Sequence, residues 1–134
     1  MAGNPVLNLG LAADPGVLCL TFFDQPYLLN GILTVIGSDD ATLLALDAAS
    51  RVMSVDEKDG SRSRFVNSTP EALLRCVRSY QRYAEEISAT TSEDGELGCV
   101  RRLEHAIRKA DELALADDEN WWACVVGQAY EGNL

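Results

Sequence analysis

The sequence predicts an α+β domain in which a largely antiparallel sheet in the N-terminal half packs against helices in the C-terminal half. In the first half, short apolar runs are separated by turn residues, which is the pattern of strands. In the second half, apolar residues recur at spacings of three and four, which is the pattern of amphipathic helices. Short turns favour antiparallel neighbours, because parallel strands need long crossovers. The 134 residues are enough for one domain, over residues 1–134, with a sizeable core.

Five strands are predicted. The first is the apolar run Gly16–Phe23, which Asp24 ends. The second is Ile32–Gly37, and it follows Asn30-Gly31, a dipeptide that favours a tight hairpin because both residues tolerate positive φ. The third, Thr42–Asp47, is rich in Leu and Ala and also fits a helix. The remaining two strand candidates are Arg51–Asp56 and Arg64–Asn67.

The first predicted helix begins just after the last strand. Ser68 and Glu71 match a capping box, and Pro70 stands in the first turn, where its missing N–H costs nothing. A stripe of apolar residues follows at helical spacing and indicates about five turns: Leu73, Cys76, Val77, Tyr80, Tyr83, Ala84 and Ile87.

Two further helices are predicted after a loop at Ser88–Glu96. The first has an apolar stripe formed by Val100, Leu103, Ile107, Ala110 and Leu113. The second opens with the acids of "ADDEN", which the helix macrodipole favours at an N-terminus. In it, Trp122, Val126 and Ala129 share one face.

The charge balance is strongly acidic, with 21 acids, 11 bases and a net charge of −10. Such a chain repels nucleic acid and anionic membranes, and it attracts a basic partner such as the binding cleft of a nucleic-acid enzyme. Solubility alone is the alternative explanation. The start of the chain has no basic residue and no long apolar run, so we expect no signal peptide and a cytoplasmic location.

No catalytic or metal-binding motif stands out. The four cysteines are far apart and the only histidine is His105, so neither a zinc site nor another cofactor is predicted. Asp39-Asp40 could bind a metal or act as an acid/base pair, but acids at a turn usually point apart into solvent. Cys76 lies on an apolar stripe, which favours a core position over a nucleophile. These observations predict a protein that is not an enzyme.

Several segments resemble the SUKH superfamily of bacterial immunity proteins, and specifically its fourth family. The first is "LTVIGSDD" and the strand that ends at Asp47, which a turn and the strand Arg51–Val55 follow. The next is Phe65, Val66, Asn67 and Ser68, which lead into a helix. The last is "LADDENWWACVVGQAYEGNL", in which Trp122 matches the family tryptophan. The resemblance runs from about Leu9 to the C-terminus, and family members carry more chain, mostly helical, before the first strand.

The resemblance implies a mixed, largely antiparallel sheet backed by helices, and a protein that neutralises a partner toxin by direct binding. Toxins paired with this superfamily are often nucleases or nucleic-acid deaminases, and the immunity proteins carry no catalytic residues. We expect the toxin to meet acidic turns and a tryptophan on this chain: Asp39, Asp40, Asp56, Glu57, Asp59 and Trp121. An exposed strand edge and the short N-terminal segment are also compatible with a homodimer.

Two alternatives remain open. The first is a regulatory adaptor of the same fold that binds a protein other than a toxin. The second is an enzyme with an uncommon site, which requires Asp39, Asp40 and His105 to converge in one pocket.

Overall fold

A computed structural model describes residues 18, 20–39, 42–58 and 63–132. Its strands are β1 (Thr21–Leu29), β2 (Leu33–Ser38), β3 (Thr42–Leu46), β4 (Val52–Asp56) and β5 (Arg64–Asn67). Its helices are α1 (Pro70–Ser88), α2 (Glu93–Ala110), a short 3-10 helix (Glu112–Leu115) and α3 (Trp121–Tyr130). The strands precede the helices, which confirms the predicted α+β arrangement.

The sheet is a meander in which neighbours in the sequence are also neighbours in space. Its order is β1-β2-β3-β4-β5, and all four pairings are antiparallel. Asn30 and Gly31 both have positive φ, 55° and 72°, and the N–H of Ile32 donates to the Leu29 carbonyl at 3.3 Å. The predicted tight turn between the first two strands is therefore confirmed.

The first strand differs from the prediction. It is expected over Gly16–Phe23, but it runs from Thr21 to Leu29. Gly16, Val17 and Cys19 lie outside the described residues. The pairing with β2 is irregular between Phe22 and Tyr27, and Pro26 lies inside that interval. Pro26 has no N–H to donate, and an edge strand with an irregular pairing tolerates this.

Gly37 lies where β2 passes close to the β1 backbone. A Cβ at this position would overlap the backbone carbonyl oxygen of Thr21 and crowd the Phe22 ring. The pairing of β2 with β3 also shifts register between Val35 and Gly37. Only glycine fits this close approach without moving the backbone.

The two faces of the sheet carry separate apolar clusters, because successive side chains on a strand point to opposite sides. One face packs with the helices to form the main core and includes Phe22, Ile36, Leu44, Val52 and Val66. The other face carries a smaller buried cluster of Val35, Leu43, Ala45 and Val55.

The start of α1 is one residue later than the capping box predicted. Thr69 is the N-cap, and its hydroxyl oxygen accepts from the Ala72 N–H at 3.1 Å, while Pro70 is the first helical residue. The prediction that Ser68 caps the helix was wrong, because the Ser68 hydroxyl donates instead to Asp111.

Helix α2 begins earlier than predicted and ends before Leu113. Ser92 caps it by accepting from the Gly95 N–H at 3.0 Å, so the last four residues of the expected loop, Glu93–Glu96, are helical. The helix ends where Asp111 takes an extended conformation, with φ of −158°. Leu113 therefore lies in the 3-10 helix and is exposed, which corrects its place in the apolar stripe.

Helix α3 begins at Trp121, after Asn120 as its N-cap. The acids of "ADDEN" precede the helix and do not belong to its first turn. Trp122, Val126 and Ala129 are all buried, which confirms the face they were predicted to share. In the part of the chain that the structure describes, no helix is long and apolar enough to cross a membrane.

Candidate functional site

The segment that joins the sheet to α1 is held by a buried polar group. Asn67 is 0% exposed, and its Oδ1 accepts from the Trp122 Nε1–H at 2.9 Å. Its Nδ2 donates to Asp111 Oδ2 at 3.0 Å and to Cys76 Sγ at 3.4 Å. One strand-end amide thus connects β5, α1, α3 and the residue that ends α2.

Asp111 is the acceptor at the centre of this group. Its Oδ2 also accepts from the Ser68 backbone N–H at 2.7 Å, and its Oδ1 accepts from the Ser68 hydroxyl at 2.8 Å and from the Leu113 N–H at 3.2 Å. Hydrogen bonds to a carboxylate are stronger than neutral ones and fix its orientation. We call Asn67, Ser68, Cys76, Asp111 and Trp122 the junction network.

Cys76 has no nucleophilic role in this arrangement. Its thiol is fully buried, and burial raises its pKa to about 12. A thiol with such a pKa stays protonated at neutral pH and is a poor nucleophile. Its predicted position in the core is confirmed.

The turn at Asp47, which also belongs to the segments that carried the resemblance, is likewise structural. The Asp47 carboxylate accepts from the Ala49 and Arg51 backbone N–H groups, each at 2.9 Å, and from Arg51 Nε at 2.8 Å. Burial would raise the pKa of Asp47, but these hydrogen bonds outweigh it and hold the pKa below its usual value. The carboxylate therefore shapes the turn between β3 and β4.

The structure joins two of the residues that the sequence indicated as partner contacts. Asp39 Oδ2 accepts from the Trp121 Nε1–H at 2.7 Å. Asp39 Oδ1 accepts from the Thr42 N–H at 2.9 Å and from the Thr42 hydroxyl at 2.5 Å. Both carboxylate oxygens are thus oriented, and Asp39 and Trp121 line one depression of about 230 Å³.

Trp121 itself exposes little surface. Its side chain is in the buried class, at 7% exposure, and its ring meets that of Trp122 edge-on at a centroid distance of 4.8 Å. The indole of Trp121 therefore holds the Asp39 carboxylate in position by a hydrogen bond. The indole N–H bonded to the carboxylate fixes an acidic group at the surface.

Two other indicated acids lie at the same end of the sheet. Asp56 ends β4 and pairs with Thr42, the residue that binds Asp39. Its carboxylate accepts from the Lys58 N–H at 2.8 Å, and Glu57 is exposed beside it. Asp40 and Asp59 lie outside the described residues.

Three acids that the sequence reasoning assigned to the start of a helix belong to this region as well. Asp117, Asp118 and Glu119 are exposed and end two residues before Trp121. Asp117 and Glu119 line a depression of about 360 Å³ together with Arg64, whose strand partner is Ser54 in β4. The signal that could have found them is the uninterrupted run of acids in "ADDEN".

We call these six acids the acidic edge: Asp39, Asp56, Glu57, Asp117, Asp118 and Glu119. They come from three segments that are distant in sequence but meet at one end of the sheet. Arg64 lines both depressions of this region. Such a concentration of negative charge attracts a positively charged surface over about a Debye length, which is about 8 Å at physiological salt.

The enzyme alternative requires Asp39 and His105 to converge in one pocket, and in the described structure they do not. His105 is exposed on α2 and lines a different depression from Asp39. Among the described residues, no group of three or more His, Cys, Asp or Glu side chains is placed to hold a metal ion. In that part of the chain, every fully buried side-chain nitrogen or oxygen has a hydrogen-bond partner.

Comparison with known proteins gives one family match. The family model described as SUKH-4 immunity protein matches residues 29–128, from the β1–β2 hairpin to α3. No curated protein and no solved structure gives a significant match. The match covers well over half of the chain and includes every member of the junction network and of the acidic edge. The chain therefore belongs to the SUKH-4 immunity protein family.

Proposed function

We propose that this protein binds a cognate toxin in the cytoplasm and neutralises it, and that the acidic edge docks on a basic surface of that toxin. The observation that carries the proposal is the convergence of three acidic segments at one end of the sheet. Two of them are positioned by hydrogen bonds, since Asp39 is bonded to Trp121 and Asp56 to the Lys58 backbone. A fixed acid binds a cation without losing side-chain entropy.

The proposed class of toxin follows from charge. A nuclease or a nucleic-acid deaminase has a basic cleft for its phosphate-bearing substrate. An acidic protein that covers this cleft competes with the substrate, and long-range attraction speeds the encounter. The proposed contact set is the acidic edge with Trp121, together with Asp40 and Asp59, which follow Asp39 and Lys58 in the sequence.

The first test recovers the partner. The tagged protein is used as bait in a lysate of the source cell, at low and at high salt, and the bound proteins are identified by mass spectrometry. The proposal expects one protein with a basic domain, lost as salt rises. The adaptor alternative expects partners that are neither toxic nor sensitive to salt.

The second test places the surface. Glu57→Lys with Glu119→Lys reverses two charges of the acidic edge whose side chains have no hydrogen bond to lose in the described structure. Glu71→Lys with Glu93→Lys makes the same change of charge in the first turns of α1 and α2, and Glu71 lies beyond the opposite end of β5. Both pairs should fold, as thermal melting will show.

The expected result is kinetic. The association rate constant with the recovered toxin should fall about tenfold in the acidic-edge variant at low salt and should change little in the control. Equal rates for the two variants would reject the acidic edge as the docking surface. That result would leave the neutralisation of a toxin standing, so the two parts of the proposal can be separated.

A homodimer is a further part of the proposal. No described strand pairs with the outer side of β1, and the adjoining hairpin exposes Leu28 at 67% and Ile32 at 70%. Exposed edges and large apolar side chains favour association. Light scattering on the purified protein should give twice the monomer mass of 14.6 kDa. The double variant Leu28→Ser with Ile32→Ser should give the monomer mass.

A further inference from the structure

One part of the outer side of the two long helices carries bases without acids among them. Seven of the 11 Lys and Arg residues lie on α1 and α2, which together also carry seven acids. Four of them, with His105, line one shallow depression of about 440 Å³, and no described acid lines it. We call these residues the basic depression: Arg82, Arg101, Arg102, His105 and Lys109.

Helix geometry brings these side chains together. Arg101, His105 and Lys109 are spaced four apart and therefore lie one above another along α2. Arg82 reaches them from α1, which packs against α2. All five are exposed, whereas Val100, Leu103 and Ile107 on the inner side of α2 are buried.

Helix stability does not explain this pattern. The macrodipole favours bases only in the last turn of a helix, which accounts for Arg108 and Lys109 but not for Arg101 or Arg102. Arg82 and Arg101 lie outside the last turns of their helices and form no ion pair with a described residue. A binding role would account for these two bases.

Most bases of the depression are not paired with an acid of the described chain. Arg102 Nε donates to a carboxylate oxygen of Glu86 at 2.7 Å at its border. Arg82, Arg101 and Lys109 form no ion pair with any described residue. Their donor groups are therefore available, and the guanidinium fork matches a carboxylate in geometry.

We propose that the basic depression is a second binding site, which takes a short acidic segment of a protein partner. From Arg101 to Lys109 it extends about 12 Å along α2, since a helix rises 1.5 Å per residue. A few carboxylates of an extended peptide cover that length. Glu93, Asp94 and Glu96 stand in the first turn of the same helix and would repel a longer polyanion that continued along it, which favours a short acidic segment.

The test measures binding of fluorescein-labelled hexaglutamate by fluorescence anisotropy at physiological salt, with a single-stranded oligonucleotide of equal charge as the competing probe. The variant Arg82→Gln with Arg101→Gln removes two bases of the depression. The control variant Lys58→Gln with Arg64→Gln removes two exposed bases, one in the turn after β4 and one on β5. Each variant changes the net charge from −10 to −12, because each Gln removes one positive charge.

The proposal expects hexaglutamate to bind the wild type, to bind the depression variant about tenfold more weakly, and to bind the control as it binds the wild type. The absence of peptide binding to the wild type would overturn it. Equal binding by the two variants would overturn it too, because only net charge would then matter. Tighter binding of the oligonucleotide, lost in the depression variant, would replace it by a nucleic-acid site. None of these outcomes depends on the toxin.

Discussion

Replacing Asp111 with Asn keeps the size of the side chain at the centre of the junction network and removes its charge. Asp111 accepts four hydrogen bonds, two on each carboxylate oxygen, from Asn67, Ser68 and Leu113. An amide has one oxygen, so in either orientation its NH₂ group faces donors. The less costly orientation turns the NH₂ toward the Ser68 hydroxyl, which can accept, and leaves the Leu113 N–H without its acceptor.

The cost follows from these contacts. One partly buried donor without an acceptor costs about 1–3 kcal/mol, and the remaining bonds lose the strengthening that a charged acceptor gives. We expect Asp111→Asn to lower the free energy of unfolding by about 2–4 kcal/mol. That is a large share of the roughly 5–15 kcal/mol that stabilises a typical domain.

Urea denaturation followed by circular dichroism and tryptophan fluorescence measures this loss. Asp118→Asn is the matched control, because Asp118 is exposed and its side chain has no hydrogen bond in the described structure, and it should change stability by less than about 0.5 kcal/mol. If Asp111→Asn also costs less than about 0.5 kcal/mol, the junction network does not hold the strand to the helices and the reasoning is refuted.

Three further predictions concern packing, pH and the thiols. Gly37→Ala should destabilise the protein by about 1–3 kcal/mol, because the added methyl group would overlap the β1 backbone. Gly127→Ala on α3 should stabilise it by about 0.5–1 kcal/mol, because the methyl group enters open space and alanine favours a helix over glycine. Urea denaturation measures both changes. The Tyr130 hydroxyl donates to Glu104 at 2.5 Å, and this hydrogen bond lowers the pKa of Glu104. A lowered pKa stabilises the fold above the ordinary value of 4.5 and loses that effect as pH falls, so the melting temperatures of wild type and Tyr130→Phe should converge in acid. Cys76, whose thiol pKa is raised to about 12, should resist alkylation in the native protein and react only after unfolding, as peptide mass mapping will show.

Each of these has an outcome that would contradict it. Equal stability of the two glycine variants would show that β1 and β2 do not approach as closely as described. A difference in melting temperature between wild type and Tyr130→Phe that does not shrink as the pH falls below 4.5 would show that Glu104 is not the acceptor that matters. Rapid alkylation of Cys76 in the native protein would place it outside the core.

Much of the fold could be predicted because local signals and tertiary packing agree. Asn30-Gly31 fixes a turn by its own backbone preference, and Pro70 marks the start of α1 for the same reason. The errors arose where a local pattern was overridden. Ser68 has the chemistry of an N-cap, but Asp111, 43 residues away, takes its hydroxyl. The segment around Gly95 was predicted to be a loop. The N-cap at Ser92 and the acids of the first turn instead start α2 before Gly95.

The candidate site could be predicted only in part. The acids of the two sheet turns were visible in the sequence as turn residues. Their meeting with Asp117 and Glu119 depends on a hydrogen bond between Trp121 and Asp39, which are 82 positions apart. A local sequence pattern could not predict this contact, because it results from how α3 packs on the sheet. The basic depression was missed because its members come from two helices and the net charge concealed them.

The most direct test of the account is a growth assay with the protein recovered by capture. Its basic domain is expressed from an inducible promoter in a test host, alone, with this protein, and with the Glu57→Lys and Glu119→Lys variant. The account predicts that the domain alone stops growth, that the wild type restores growth, and that the variant restores it less well although it folds. A domain that is harmless, or a toxicity that the wild type does not relieve, would contradict the central claim that this protein neutralises a toxin by binding it.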